Sequence, residues 1–182
     1  YTSRPDMGLI LNRHLFDKHI ADMAVNEGVL IKTDENVLSG GYDDDGVFIN
    51  TAKGKYFGRM LVIADGVFSR LAKYFNIDSV VDLNDIYSCY QMVIDDKSIN
   101  EKEIIFDFTP QYANGGYLWI FPKGAHSANV GLGVGVRHAK KSVKEYLDAF
   151  IFRHPEGQRL FKKAKIIEER TGAITVGGPL ER

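Results

Sequence analysis

Two segments with a two-residue period set the strongest limits on the fold of this chain. In Tyr117–Pro122, an aromatic ring alternates with an aliphatic residue or proline. In residues 129–137, glycine alternates with larger side chains. Successive side chains of a β-strand point to opposite faces. The pattern therefore predicts two strands, one with three rings on a single face and a neighbour with little side-chain bulk.

Such a strand pair has two interpretations. Large flat side chains on one face would make a wide apolar wall, suited to a long hydrocarbon or a flat ring. Gly131, Gly133 and Gly135 would then leave room for a ligand or for a close backbone contact. Alternatively, the rings are ordinary sheet core and the glycines form a bulge. Aromatic stripes are more often core than binding surface, so spacing alone favours the second interpretation.

The remaining segments predict an α+β domain, with a mostly antiparallel sheet and helices packed to one side. A first helix follows Asn12, carries an apolar stripe that includes Phe16, Ile20 and Met23, and ends near Gly28. Ser142 can cap a later helix, which Pro155 separates from another helix reaching residue 163. We also predict strands at 29–33, 60–64, 86–95, 103–109 and 165–175, a hairpin over 38–51 around an Asp-Gly turn, and a helix at 69–75.

A candidate cofactor contact follows the apolar run at residues 60–64. There a carboxylate, Asp65, precedes Gly66, and Ser69 can cap a helix. In dinucleotide-binding folds, an acidic residue at this end of a strand can accept hydrogen bonds from ribose hydroxyls, and glycine lets the backbone approach a cofactor. An ordinary strand-to-helix turn is the alternative, which spacing alone favours. Arg13 on the first helix could meet a pyrophosphate or be a solvent-facing charge.

Composition and spacing exclude several other functions. The formal net charge of −1 and the isoelectric point of about 6.6 argue against nucleic acid as a partner. The five histidines show no metal-binding spacing, and no G-x-G-x-x-G motif is present. We therefore expect no metal site. The single cysteine, Cys89, rules out an internal disulfide and is interpreted as a small core residue. Lysines of residues 140–165 predict a solvated face or a contact with a membrane surface.

Taken in order, these segments resemble the geranylgeranyl reductase family, flavoproteins shaped like para-hydroxybenzoate hydroxylase. Residues 13–17 are similar to its R-x-x-F-D helix, and residues 64–69 to its second flavin motif. Residues 117–133 are similar to its Y-x-W-x-F-P signature, which is followed by seven or eight residues and G-x-G. Residues 171–179 are similar to the stretch that precedes its last flavin motif. The third match is the most specific.

The resemblance implies an FAD-dependent reductase that saturates C=C bonds of isoprenoid chains, either in geranylgeranyl lipids or in geranylgeranyl diphosphate, during membrane lipid biosynthesis. It implies an electron donor, NAD(P)H or a ferredoxin-like protein, and a cytoplasmic location, with peripheral membrane contact left open. The proton donor is not identified, and Tyr117 is a weak candidate. By resemblance, Arg13, Asp65 and Gly66 would contact FAD, while Tyr117, Trp119, Phe121, Pro122, Gly131 and Gly133 would line the lipid site.

The resemblance also implies a division of the chain and two rival functions. Residues 1–75 would be a remnant of the FAD-binding domain, and residues 76–182 the substrate-binding part. The rivals are a flavin-dependent aromatic monooxygenase, which would share the Asp65-Gly66 motif, and a non-catalytic lipid-binding module.

Two flavin motifs of the family, an upstream G-x-G-x-x-G and a downstream Gly-Asp, are absent from the sequence. We therefore expect these 182 residues to be the middle of a longer enzyme, and alone neither to bind FAD tightly nor to turn over. Absorbance spectra of the purified chain test this: flavin bound at a near-equal molar ratio would refute the expectation.

Overall fold

The computed structural model describes residues 8–124, 126–161 and 163–177, and its chain divides into two compact units. Among the described residues, the first unit contains Leu83–Gly177 with residues 8–16, and the second contains Asp17–Asp82. Helix α1, Arg13–Asn26, begins as predicted: the Asn12 carbonyl accepts a hydrogen bond from the Phe16 amide at 2.9 Å.

The apolar stripe of α1 is not buried. Phe16, Ile20 and Met23 are 42, 49 and 52% exposed, and no residue of the helix is buried. Gly28 adopts the positive φ of 92° that a chain reversal after a helix requires. The helical period is therefore real, but the described residues provide nothing that covers its apolar face.

The second unit holds a three-stranded antiparallel sheet in the order β1-β2-β3. Strands β1 (Val37–Asp43) and β2 (Gly46–Thr51) form the predicted hairpin, and β3 (Lys55–Gly58), which the sequence did not predict, pairs with β2. The residues at the tip of the hairpin are Asp44 and Asp45, and neither has a positive φ. The predicted Asp-Gly turn is therefore wrong, because a primed two-residue turn with Asp-Gly at its centre would need positive φ angles at its two central residues.

Three predicted elements of this unit were wrong in type. Residues 29–33 and 60–64 form no strand, and the helix predicted at 69–75 is a single 3₁₀ turn, Ala72–Phe75. A buried strand needs neighbours that pair with its backbone and cover its side chains. Here Met60 and Val62 are 82 and 80% exposed. An apolar run indicates that a segment tends to be buried, but it does not specify which strand would pair with it.

The first unit is built on a five-stranded sheet in the order β5-β6-β7-β4-β8, with every neighbouring pair antiparallel. Three strands have the predicted bounds, whereas the segment predicted at 103–109 forms only three strand residues. The strands are β4 (Ile86–Asp95), β5 (Ile105–Asp107), β6 (Tyr117–Pro122), β7 (Ser127–Gly135) and β8 (Lys165–Thr175).

Two helices pack on one face of this sheet, which confirms the predicted α+β class. Helix α2 (Val143–Arg153) begins with a capping box in which the Glu145 amide donates to Ser142 Oγ at 3.2 Å and the Ser142 amide donates to Glu145 Oε2 at 2.9 Å. Helix α3 (Pro155–Leu160) ends earlier than predicted. At Gly157, a Cβ atom would lie 1.9 Å from the Phe150 carbonyl oxygen, so only glycine allows this close approach.

The core lies between the sheet and α2. Its fully buried side chains include Leu118, Val130 and Leu132 of the sheet and Leu147 and Ile151 of the helix. Burial of each such aliphatic side chain stabilises the fold by roughly 1.5–3 kcal/mol. The even-numbered residues of β6 thus face the helices, and its odd-numbered residues must face away.

Hydrogen bonds and an ion pair connect the helices and the segment that follows them to the sheet. Asp96, which is 6% exposed, accepts hydrogen bonds from the amides of Ser98 at 2.8 Å and Lys163 at 3.0 Å. Burial alone would raise the pKa of the Asp96 carboxyl, but these hydrogen bonds outweigh it and the pKa is lowered. Lys144 Nζ donates to the Tyr90 hydroxyl and to Glu169 Oε1, each at 2.7 Å. No helix formed by the described residues is long and apolar enough to cross a membrane.

Candidate functional site

Three aromatic rings lie on the face of the five-stranded sheet that is turned away from the helices. Along β6, Leu118 and Ile120 are buried, whereas Tyr117, Trp119 and Phe121 are not. The ring centroids of Tyr117 and Trp119 are 5.7 Å apart, and those of Trp119 and Phe121 are 6.1 Å apart with an angle of 27° between the ring planes. The rings therefore form one continuous surface and not a filled core.

Two further rings, which the sequence interpretation missed, enlarge this surface. Phe106 of β5 lies opposite Trp119 in the ladder, and its ring centroid is 5.6 Å from Tyr117 and 5.1 Å from Phe121. Phe108 stacks on Phe106 and is 67% exposed. The alternation in Phe106-Asp107-Phe108 was the available signal. The aromatic wall thus comprises Phe106, Phe108, Tyr117, Trp119 and Phe121.

Pro122 does not belong to the aromatic wall. It is buried, pairs with Ala128, and has the same parity as Leu118 and Ile120. The strand geometry therefore turns it toward the helices. Its place in a signature next to three rings says nothing about the face on which it lies.

Gly131 makes room for a side chain of the protein itself. A Cβ atom at Gly131 would lie 2.5 Å from Cζ2 of Trp119 and 2.6 Å from Cβ of Gln91. Since real Cβ atoms do not approach so closely, glycine is needed for the indole to lie across β7. A Cβ at Gly133 would lie 3.1 Å from Sγ of Cys89. The clearance predicted for a ligand at Gly131 is thus used by Trp119.

Polar and small side chains border the aromatic wall on the same face. Ladder partners place Gln91 opposite Gly131 and Cys89 opposite Gly133. Burial raises the pKa of the Cys89 thiol, which keeps it protonated and argues against a nucleophilic role. Asn129, opposite Phe121, has a buried carboxamide oxygen with no hydrogen-bond partner among the residues that the structure describes.

The candidate flavin contact in the other unit is a tight turn. Asp65 Oδ2 accepts hydrogen bonds from the amides of Arg70 at 3.1 Å and Leu71 at 3.2 Å. A hydrogen bond from Ser69 is the largest cause that lowers the pKa of the Asp65 carboxyl, so the group is anionic at neutral pH. Gly66 has a φ of 88°, and no atom lies within 4 Å of the position that its Cβ would take.

These residues are compatible with FAD. A carboxylate has two oxygens, so Asp65 can close its own turn and still accept a hydroxyl hydrogen bond. The open space beside Gly66 permits close approach of a large group. Arg13 begins α1 and is exposed. Residues 171–179 resemble the stretch that precedes the last flavin motif of the family. Residues 171–175 belong to β8, while residues 178 and 179 lie outside the described residues.

Among the described residues, no group of three or more His, Cys, Asp or Glu side chains could hold a metal ion.

Comparison of the fold with solved structures defines the class of protein. The chain superimposes on halogenase PltM in complex with phloroglucinol and FAD with a TM-score of 0.70 and 13% identity, covering 91% of this chain and 38% of the halogenase. A geranylgeranyl bacteriochlorophyll reductase-like protein from Thermoplasma acidophilum gives a TM-score of 0.83 at 28% identity, covering 97% of this chain and 45% of that protein. The fold is that of FAD-dependent flavoproteins.

Sequence comparison then gives the family. The geranylgeranyl reductase catalytic domain matches residues 85–174. A digeranylgeranylglycerophospholipid reductase from Methanocella arvoryzae is 34% identical over 97% of this chain and 45% of the relative. One from Picrophilus torridus is 36% identical over 92% of this chain and 43% of the relative. The chain belongs to the geranylgeranyl reductase family, and it spans less than half the length of these relatives.

The contact between Gly131 and the indole can be tested by Gly131→Ala. Because Trp119 is the only tryptophan, its fluorescence emission should change as the added methyl displaces the ring. Overpacking of this kind should also lower the free energy of unfolding by about 1–3 kcal/mol. Gly172→Ala is the control, since no atom lies within 4 Å of a Cβ there. Equal behaviour of the two variants would contradict the assigned contact.

Proposed function

We propose that this chain contributes the substrate wall of an FAD-dependent reductase that saturates C=C bonds in the isoprenoid chains of geranylgeranyl lipids or of geranylgeranyl diphosphate. The observation that carries the proposal is the aromatic wall, a surface of five rings on the open face of the sheet. The membership of the chain in the geranylgeranyl reductase family supports the proposal, as do the names of its relatives, which are digeranylgeranylglycerophospholipid reductases.

Binding of a hydrocarbon needs little besides apolar area. Transfer of each CH₂ group from water to an apolar surface stabilises a complex by about 0.8 kcal/mol, so a chain of several prenyl units can be held without an ion pair. The neighbouring rings of Trp119 and Phe121, with centroids 6.1 Å apart, offer a continuous apolar surface to such a chain. They would also keep water away from the reacting double bond.

A bound FAD would supply the hydride that reduces the alkene. On this chain, Asp65 would accept a hydrogen bond from a ribose hydroxyl, Gly66 would allow close approach, and Arg13 would meet the pyrophosphate. Saturation also requires a proton on the neighbouring carbon. Tyr117 is the candidate donor because it carries the hydroxyl of the aromatic wall.

The longer protein would supply the remaining flavin contacts. The relatives are more than twice as long as the matched segment. The exposed apolar stripe of α1 and the exposed side chains of Met60 and Val62 are surfaces that such additional chain could cover. An electron donor, NAD(P)H or a ferredoxin-like protein, is part of the same proposal. So is a cytoplasmic location with peripheral contact to a membrane.

The family match favours the reductase over the two rivals. An aromatic monooxygenase would share the fold and the Asp65-Gly66 motif, but it would not account for the match to the geranylgeranyl reductase catalytic domain. A non-catalytic lipid-binding module would account for the aromatic wall but not for the match to a catalytic domain over residues 85–174.

The role of the aromatic wall is tested by Trp119→Ala in the full-length enzyme. Loss of the indole should reduce kcat/KM for the lipid by about 10- to 100-fold, because a large apolar contact with the substrate is lost. The FAD content should stay near normal.

Phe152→Ala is the matched control, since this exposed ring lies on α2, on the other side of the sheet. Its lipid turnover should be unchanged. Loss of FAD together with lipid turnover in Trp119→Ala would count against a substrate-side role.

A further inference from the structure

The aromatic wall covers only part of the open face of the five-stranded sheet. Its rings lie on and beside β5 and β6, at one end of the strand order β5-β6-β7-β4-β8. Trp119 of β6 pairs with Gly131, and Gly131 in turn pairs with Gln91 of β4. Arg170 of β8 is the next partner of Gln91. Because directly paired residues share a face, these residues form one row across four strands. We call Gln91 and Arg170, beyond the glycine, the polar pair.

Gln91, the nearer member of the polar pair, borders the indole of the aromatic wall. A Cβ atom at Gly131 would lie 2.5 Å from Cζ2 of Trp119 and 2.6 Å from Cβ of Gln91, so the side chains of Trp119 and Gln91 are neighbours. The carboxamide of Gln91 carries hydrogen-bond donors and an acceptor. No residue that the structure describes forms a hydrogen bond with it. The first polar group next to the indole in this row is therefore available to a ligand.

Arg170, the farther member, is oriented by two neighbours within the first unit. Its Nε donates a hydrogen bond to Glu168 Oε1 at 2.6 Å, and its Nη2 lies 3.2 Å from Nε2 of His14. Since a guanidinium can only donate, His14 Nε2 is the acceptor of the second bond. Neither bond uses Nη1, and 42% of the Arg170 side chain is exposed. The guanidinium is thus held in place and still has donors for a ligand.

The ion pair at β8 limits the kind of group that the polar pair suits. The hydrogen bond from Arg170 is the largest cause that lowers the pKa of the Glu168 carboxyl, so Glu168 is anionic at neutral pH. Its charge offsets the charge of Arg170, and net charge alone would not attract an anion strongly. The N–H donors of Gln91 and Arg170 nevertheless suit oxygen atoms, whether of a hydroxyl or of a phosphate. The shared chemistry is an oxygen-bearing end group.

The open face is therefore apolar on one side and polar on the other, which favours one orientation of an amphipathic lipid. Apolar carbon is stabilised against the rings, whereas a polar end group costs free energy wherever it lacks a hydrogen-bond partner. Adjacent strands are about 4.8 Å apart, so Gln91 and Arg170 lie roughly 10 and 14 Å from the backbone of β6. A chain of several prenyl units can reach them with one end while its carbons cover the rings.

We propose that Gln91 and Arg170 bind the oxygen-bearing end of the isoprenoid substrate, so that the lipid lies across the strands with its hydrocarbon on the aromatic wall. Glu168 and His14 are positioning residues, because they orient the guanidinium of Arg170. This inference rests on the proposed reductase function. It extends that function by naming the residues that distinguish substrates by their end group.

The full-length enzyme can be tested with three substrates that share the geranylgeranyl chain and end in a diphosphate, a hydroxyl or a methyl group. Arg170→Met and Gln91→Met remove the polar atoms and keep an unbranched side chain. For the diphosphate and the alcohol, kcat/KM should fall about tenfold in Arg170→Met and about fivefold in Gln91→Met, the usual effects of losing a charged and a neutral hydrogen bond. The change should lie mainly in KM, because these bonds hold the substrate before and during the reaction. The methyl-ended substrate should be unaffected.

Arg159→Met is the matched control, since it removes the same side chain from α3, on the helical side of the sheet. It should leave kcat/KM unchanged for all three substrates. Trp119→Ala should lower kcat/KM for all three, because they share the hydrocarbon that contacts the rings. FAD content and thermal unfolding identify a variant that loses its cofactor or its fold, and Gln91→Met keeps the test informative if Arg170→Met proves unstable.

The outcomes separate this inference from the reductase function. A loss for the diphosphate alone supports recognition of a phosphate, and a loss for both the diphosphate and the alcohol supports recognition of the oxygen attached to the chain. Equal losses for all three substrates, no loss for any of them, or loss of FAD in both methionine variants would overturn the proposed orientation while the reductase function stands. If the unmodified enzyme reduces none of the three, the reductase function fails and this inference fails with it.

Discussion

The pairing of β6 with β7 is the interaction on which the arrangement of the first unit depends. Its register places Trp119 opposite Gly131, so that the indole lies across a strand that offers no side chain at that point. The same register places Leu118 opposite Leu132 in the core. Because side chains alternate between faces, a slip of one residue would bury the rings and expose the aliphatic core. One ladder thus determines both the stability of the sheet and the aromatic wall.

The two-residue period predicted this much because it is a property of the strand itself. It predicted the bounds of β6 and the common face of Tyr117, Trp119 and Phe121, just as Ser142, as a capping residue, predicted the start of α2. The period of α1 was also detected, although its apolar stripe is exposed. Local patterns of this kind follow from the geometry of the backbone within one element. They therefore predict that element without information about the rest of the protein.

Features that depend on a partner could not be predicted in this way. The run at residues 60–64 is apolar, yet it forms no strand, because among the described residues no neighbour pairs with it. Gly131 was interpreted as room for a ligand, but the sequence could not show that an indole from the next strand uses that room. Phe106 joined the aromatic wall through β5, a strand of only three residues. Which segments pair with each other depends on the tertiary structure, and the strand propensity of a single segment predicts that pairing only weakly.

The central claim is that the aromatic wall holds an isoprenoid chain beside the flavin. A crystal structure of the full-length enzyme with FAD and a saturated isoprenoid lipid, which cannot react, tests it most directly. The account predicts lipid carbon atoms within about 4.5 Å of Trp119 and Phe121, the contact distance of apolar groups, with the flavin ring on the same side of the sheet. Lipid density elsewhere, with the rings covered by protein, would contradict it.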